Sequence, residues 1–217
     1  MLGDQVDRTG GGRPISLVGI TGNSGCGQST AAGFASDMCA GVCSLDEIGH
    51  RLLEKRYIVS LLAESLCRND LRTLRGPDLR KELGRTAFSD AGVLEAINSV
   101  LHPRMQGIVR LAASAARKAP GIRVLEGALL IELGLAPLMD RLIVVRDSLE
   151  RCSARVAARD SVALEETSRR WRSQLPIDDK ASMADWVVDN SGSKDDMRTS
   201  IVSIFASMNR PGPEGRP

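Results

Sequence analysis

Apolar residues fall in short, nearly unbroken runs separated by longer stretches of helical period. Four runs read as strands: Ile15–Ile20, Val42–Leu45, Arg123–Gly127 and Arg141–Val145, with a fifth at Trp186–Asp189. Segments of period 3.6 lie between them, so the order is β-α-β-α rather than a series of hairpins. That order predicts a parallel sheet with helices on both faces, and the continuous apolar character of the strands suits a sheet covered on both sides. From Glu47 to Lys118 no strand is legible; breaks near Gly76-Pro77, Ser89-Asp90 and His102-Pro103 divide that interval into several helices, with Pro103 opening a new one. A helical insertion of this length between two strands reads as substrate-binding equipment. The last helix, from about Lys194, sets Met197, Ile201, Ile204, Phe205 and Met208 on one core-facing side.

The turn after the first strand carries the candidate chemistry. Gly22-Asn23-Ser24-Gly25-Cys26-Gly27-Gln28-Ser29-Thr30 has the spacing of G-x-x-x-x-G-K-[ST], follows a strand and opens a helix. Such a loop turns successive backbone N–H groups toward phosphate oxygens, and the helix dipole favours the anion. Ser29 is placed to bind magnesium. Gln28 stands where the pattern has lysine, so it can donate a hydrogen bond to phosphate but adds no charge to follow the transferring phosphoryl.

Further candidates lie at the carboxyl ends of the strands. Asp46, after the second strand, reads equally as a base or magnesium ligand and as the N-cap of the next helix. Glu126, at the end of the third, could reach magnesium through water. Arg151, Arg155 and Arg159 recur every four residues on a helix starting near Ser148. A basic stripe is ordinarily a solvated face, but guanidinium groups suit polyphosphate, and the place after the fourth strand favours a phosphate-covering lid. His102, taken alone, reads as a surface or capping residue.

Size and charge narrow the field. The chain has 217 residues, enough for one domain with an insertion, and a formal charge of +2, too small to imply a nucleic-acid or membrane surface. Its longest apolar stretch, Val124 to Leu138, is interrupted by Glu126, Glu132 and Pro137 and cannot span a bilayer. The five cysteines are odd in number and lack C-x-x-C spacing, which argues against a disulfide framework or zinc site and makes a reducing cytoplasm the default. Cys26 reads as a small loop residue in preference to a reactive thiol at a helix N-terminus. Residues 1–13 and 210–217 are expected to be flexible tails around a single kinase domain over 14–209. Within it, about 47–118 would be the helical substrate region and about 148–183 the lid region.

Taken in order, these elements resemble the dephospho-coenzyme A kinase family from about Ile15 to Met208. The resemblance rests on Ser44-Leu45-Asp46-Glu47-Ile48-Gly49-His50-Arg51, Leu79-Arg80-Lys81-Glu82-Leu83, Phe88-Ser89-Asp90 and Leu101-His102-Pro103. It continues in Ala128-Leu129-Leu130-Ile131-Glu132, in Arg155 with Arg159-Asp160, in Gln174 with Lys180, and in the closing Ala184-Asp185-Trp186-Val187-Val188-Asp189-Asn190. It implies a P-loop fold with a five-stranded parallel sheet, a helical coenzyme A-binding insertion and a lid. It also implies ATP and magnesium as cofactors and dephospho-coenzyme A as substrate. On the matching positions Asp46 would be the base, Arg51, Arg80 and His102 would hold the acceptor, Arg155 would support the phosphoryl group, Arg159 would bind ATP, and Asn190 would lie near adenine. Gln28, Ser44 and Ala128 depart from the family pattern, which has Lys, Asp and Pro there. The first two departures motivate one alternative: an impaired homologue that binds ATP or coenzyme A and acts through a partner.

Overall fold

The computed structural model describes residues 15–208, with the side chains of Phe88 and Ser89 left aside; the two expected tails lie outside the described residues. Residues 15–43 together with 113–208 form one compact unit, and 44–112 form a second.

The first unit is built on a five-stranded parallel sheet in the order β2-β3-β1-β4-β5. Its strands are β1 (Leu17–Thr21), β2 (Gly41–Ser44), β3 (Arg123–Glu126), β4 (Arg141–Arg146) and β5 (Trp186–Asp189). β1 pairs in parallel with β3 and β4, and β4 with β5. The expected strands are all present, with ends moved by a residue or two. The inner strands β1, β3 and β4 are buried apart from Arg123, Arg141 and Arg146, whereas edge strand β2 is largely exposed and edge strand β5 buries only Val188, as is usual where no further strand covers an edge.

One face of this sheet carries helices α1 (Gln28–Ala35) and α9 (Lys194–Met208). Val18, Ile20, Val124 and Ile143 meet Ala31, Ala35, Ile201 and Phe205 there. The small alanines let α1 lie close to the strands, while Met197, Ile201 and Phe205 recur at helical spacing on the buried side of α9. On the opposite face Gly19 leaves room for Leu130, Met139 and Leu142. After β4 come α6 (Leu149–Asp160), α7 (Leu164–Arg172) and α8 (Ile177–Ser182). Ser148 is the N-cap of α6, its hydroxyl accepting from the Arg151 amide.

The second unit contains α2 (Leu45–Leu53), α3 (Arg56–Ser65), α4 (Gly76–Ser89) and most of α5 (Ala91–Ala116). Two expectations need correction here. His102-Pro103 does not divide two helices: α5 runs through it, with Pro103 in its interior. Proline removes one backbone donor, at a cost of about 3 kcal/mol. Burial of Ile97, Val100, Met105 and Val109 along one side of α5 offsets it, and the Arg104 guanidinium donates to the Val100 carbonyl at 2.6 Å. Asp46 is not a helix N-cap either. Ser44 takes that position, and Asp46 lies exposed in the first turn of α2, where a carboxylate complements the dipole.

A buried ion pair fixes the connector between α7 and α8. Lys180 is fully buried; its ammonium donates to Glu132 Oε1 at 2.7 Å and to the Ala128 carbonyl at 2.8 Å. The same Glu132 oxygen accepts from the Leu175 amide at 3.1 Å. Burial pushes the Lys180 ammonium below its usual range, with Glu132 opposing the shift. Glu132→Ala would leave that charge uncompensated and is expected to cost about 3–5 kcal/mol near neutral pH. Because unfolded Lys180 then holds its proton more firmly than folded Lys180, the variant regains stability as pH rises toward the ordinary lysine value. Urea unfolding from pH 7 to 10 checks both statements.

Candidate active site

The loop from Gly22 to Thr30 joins β1 to α1 at the carboxyl ends of the strands, where ligands of open α/β sheets bind. Its shape depends on backbone packed too closely for side chains. Gly25 has φ +83°, and a Cβ there would overlap the carbonyl of Cys152 in α6. Gly27, at φ +102°, is the N-cap of α1, and its Cβ would come within 2.6 Å of Asn190 Nδ2. Neither conformation nor space admits another residue without strain.

Both sides of the loop are braced. From the connector, the Ser24 amide donates to Gln174 Oε1 at 2.9 Å and Asn23 Nδ2 donates to the Leu175 carbonyl at 3.1 Å. From the far side, Asn190 Nδ2 donates to the Cys26 carbonyl at 2.8 Å. Arg155 donates to the Gly25 carbonyl at 3.1 Å, to the Asn190 carbonyl at 3.3 Å and to Asp147 Oδ2 at 2.6 Å. The Asp147 side chain is almost wholly buried and also pairs with Arg151 at 3.4 Å. Asp147 was not singled out from the sequence, although its place between the fourth strand and the helix starting near Ser148 was visible. Gln174 and Lys180 were visible only as landmarks, and the fold shows what they support.

A cavity of about 180 Å³ opens on this loop, lined by Gly25, Gly27, Gln28, Ser29, Thr30, Arg155, Val156 and Arg159. The first-turn amides of α1 have no intrahelical acceptor and no side-chain cap, so they can serve an anion in that cavity. Arg155 and Arg159 of α6 add positive charge; Arg159 is also paired with Asp160 at 2.7 Å. Ser29 Oγ lies 3.0 Å from Glu126 Oε2, which sets a hydroxyl beside a carboxylate at the rim, a donor set suited to a hard cation. Asn23 Oδ1 and Gln28 Oε1 are buried with no hydrogen-bond partner among the described residues. A buried acceptor left so costs about 1–3 kcal/mol, relieved when a donor such as cation-bound water reaches it. These residues fit a phosphate chain with a hydrated cation.

Of the residues singled out from sequence, the first unit thus brings together Gly22 to Thr30, Glu126, Arg155, Arg159 and Asn190. Arg151 lies in the same unit, turned to Asp147, and the second unit holds Asp46, Arg51, Arg80 and His102. Asp46 and Arg51 are exposed on α2, with Arg51 3.5 Å from Glu47; Arg80 on α4 is half-buried. His102 on α5 is half-buried too, and burial pushes its imidazole below its usual range, favouring the neutral ring at pH 7.

Against this geometry stand the relatives. The family model for dephospho-CoA kinase matches residues 16–196. A dephospho-CoA kinase of Thermus thermophilus is 31% identical over 201 residues, spanning 92% of this chain and 95% of its own. One from Aquifex aeolicus is 29% identical over 197 residues, spanning 90% and 99%. A crystal structure from Thermus thermophilus superposes with a TM-score of 0.71 at 31% identity, covering 92% of this chain and all of that one. With the braced phosphate loop and the matched length, the chain belongs to the dephospho-CoA kinase family.

Proposed function

We propose that this chain transfers the γ-phosphoryl group of ATP to the ribose 3′-hydroxyl of dephospho-coenzyme A, with magnesium and in the cytoplasm, giving coenzyme A. The observation that carries the reading is the cavity in which the glycine loop, Ser29 with Glu126 hydrogen-bonded behind it, and Arg155 and Arg159 converge, in a chain of this family.

Phosphoryl transfer asks the protein chiefly for positioning and for charge stabilisation. The amides from Gly25 to Thr30 hold the phosphates of ATP in place. Arg155 and Arg159 supply positive charge beside the phosphoryl in flight, where preorganised charge is most effective. Arg155 can keep its brace on Gly25 while doing so, because a guanidinium carries five donors. Asn190 bounds the nucleotide side of the loop, near adenine. Asp46 takes the proton of the acceptor hydroxyl, and Arg51, Arg80 and neutral His102 bind the acceptor; these roles rest on the matching positions of the family. Ser29, with Glu126 beside it, would hold magnesium, which when bound would neutralise the β- and γ-phosphate charge.

Gln28 leaves the loop one charge short. Its amide can donate to phosphate, so binding suffers less than turnover, and that distinction separates an active enzyme of modest rate from a purely binding homologue. Formation of coenzyme A by the purified chain, dependent on ATP and magnesium, tests the function. Asp46→Asn is expected to abolish product while leaving the ATP dissociation constant unchanged; wild-type turnover in that variant removes Asp46 from the chemistry. Gln28→Lys is expected to raise kcat about tenfold or more by restoring the missing charge. ATP binding without product in the wild type and in Gln28→Lys would favour the non-catalytic homologue.

A further inference from the structure

Cys26 in the phosphate loop and Cys152 in α6 are 126 positions apart in sequence, yet their sulfurs lie 3.4 Å apart, with the Cys152 thiol donating to Cys26. Both residues are 0% exposed. The backbone around them is equally close, since the Cys152 carbonyl fills the space where a side chain on Gly25 would stand. We infer that Cys26 and Cys152 form a peroxide-sensitive thiol pair whose oxidation to a disulfide ties the phosphate loop to the lid helix and switches off nucleotide binding.

The two thiols are chemically unequal. The hydrogen bond from Cys152, with backbone amides nearby, pulls the Cys26 thiol below its usual range, while its place as donor and its burial push Cys152 up. Cys26 is therefore the attacking sulfur and Cys152 the resolving one. The Cys26 thiolate attacks one oxygen of hydrogen peroxide: an S–O bond forms, the O–O bond breaks, and hydroxide leaves to be protonated to water. Cys152 then attacks the Cys26 sulfur: the S–S bond forms, the S–O bond breaks, and the hydroxyl departs as a second water with the Cys152 proton. Two thiols give up two electrons and one peroxide accepts them.

Burial selects the oxidant. Both thiols are closed to solvent and neither lines the cavity at Gly25 and Val156, so a bulky disulfide such as oxidised glutathione is excluded and the oxidant is a small one such as peroxide. A disulfide bond is about 2.05 Å long, so closing the gap draws the sulfurs together by more than an ångström. Cys26 lies between Gly25 and Gly27, whose backbones are already packed against Cys152 and Asn190, so the pull is transmitted to the amides that face phosphate. Formation of the bond stands by itself; its effect on function rests on the loop being the ATP site proposed above.

The purified chain is treated with hydrogen peroxide under native conditions. Intact mass, a peptide map and magnesium–ATP binding are then measured before and after dithiothreitol. The expected result is a loss of about 2 Da, a cross-linked peptide joining Cys26 to Cys152, loss of ATP binding, and recovery of all three on reduction. Cys152→Ala is expected to bind ATP in the absence of peroxide and to show no reversible cross-link. Oxidation at Cys39, Cys43 or Cys67 in place of the pair, or over-oxidation of Cys26 without a cross-link, overturns the pairing. A cross-linked protein that still binds ATP overturns the switch. Because the wild-type mass and map report the bond whatever the activity, poor folding of Cys152→Ala leaves the test intact. A reduced protein that never binds ATP would count against the proposed function and leave the pairing to be judged by the map.

Discussion

Backbone-to-backbone proximity at the phosphate loop is the constraint on which the rest of the site depends. Gly25 touches the first turns of α6, and Gly27 touches Asn190 just beyond β5, so the loop, α6 and the end of the sheet are one packed object. The parallel register explains how they meet: β1 lies between β3 and β4, and β4 beside β5, so the loop, Glu126, Asp147 and Asn190 all emerge at the same edge of the sheet. Hydrogen bonds from Arg155 and Asn190 on one side, and to Gln174 and Leu175 on the other, hold the turn in a shape that an isolated glycine-rich segment would not keep.

This bracing bears on the missing lysine. A loop already ordered before ligand arrives spends little binding free energy on its own folding, so under the proposed function its amides with Arg155 and Arg159 would hold a triphosphate without an ammonium at position 28. Stabilising charge that moves is a separate task, and there glutamine is the weaker partner. Under the proposed function, binding and turnover would thus be governed by different parts of one loop.

Much of this was legible in the sequence because it is local. The five strands, the glycine spacing, the helix starting near Ser148 and the buried stripe of α9 each depend on residues close together in the chain. What failed was also local reasoning: Pro103 signals a break, yet the long apolar side of α5 outweighs one lost hydrogen bond. The end of β2 suggested Asp46 as a cap, but the chain turns helical two residues sooner, at Leu45, with Ser44 as the cap. Contacts across the fold left little trace. Asp147 gripping Arg155, Lys180 paired with Glu132, and Cys26 beside Cys152 join segments whose spacing follows no short motif. The resemblance to a family marked Gln174 and Lys180 as belonging together, and only the fold shows that they steady the connector behind the loop.

The most direct measurement is the affinity for magnesium–ATP, by calorimetry, of the wild-type chain beside a folded Gly27→Ala variant. Binding by the wild type and its loss in the variant are expected, because the added methyl group strikes Asn190 and displaces the amides that receive phosphate. Equal binding by both proteins, or none by the wild type, would contradict the assignment of this loop as the nucleotide site.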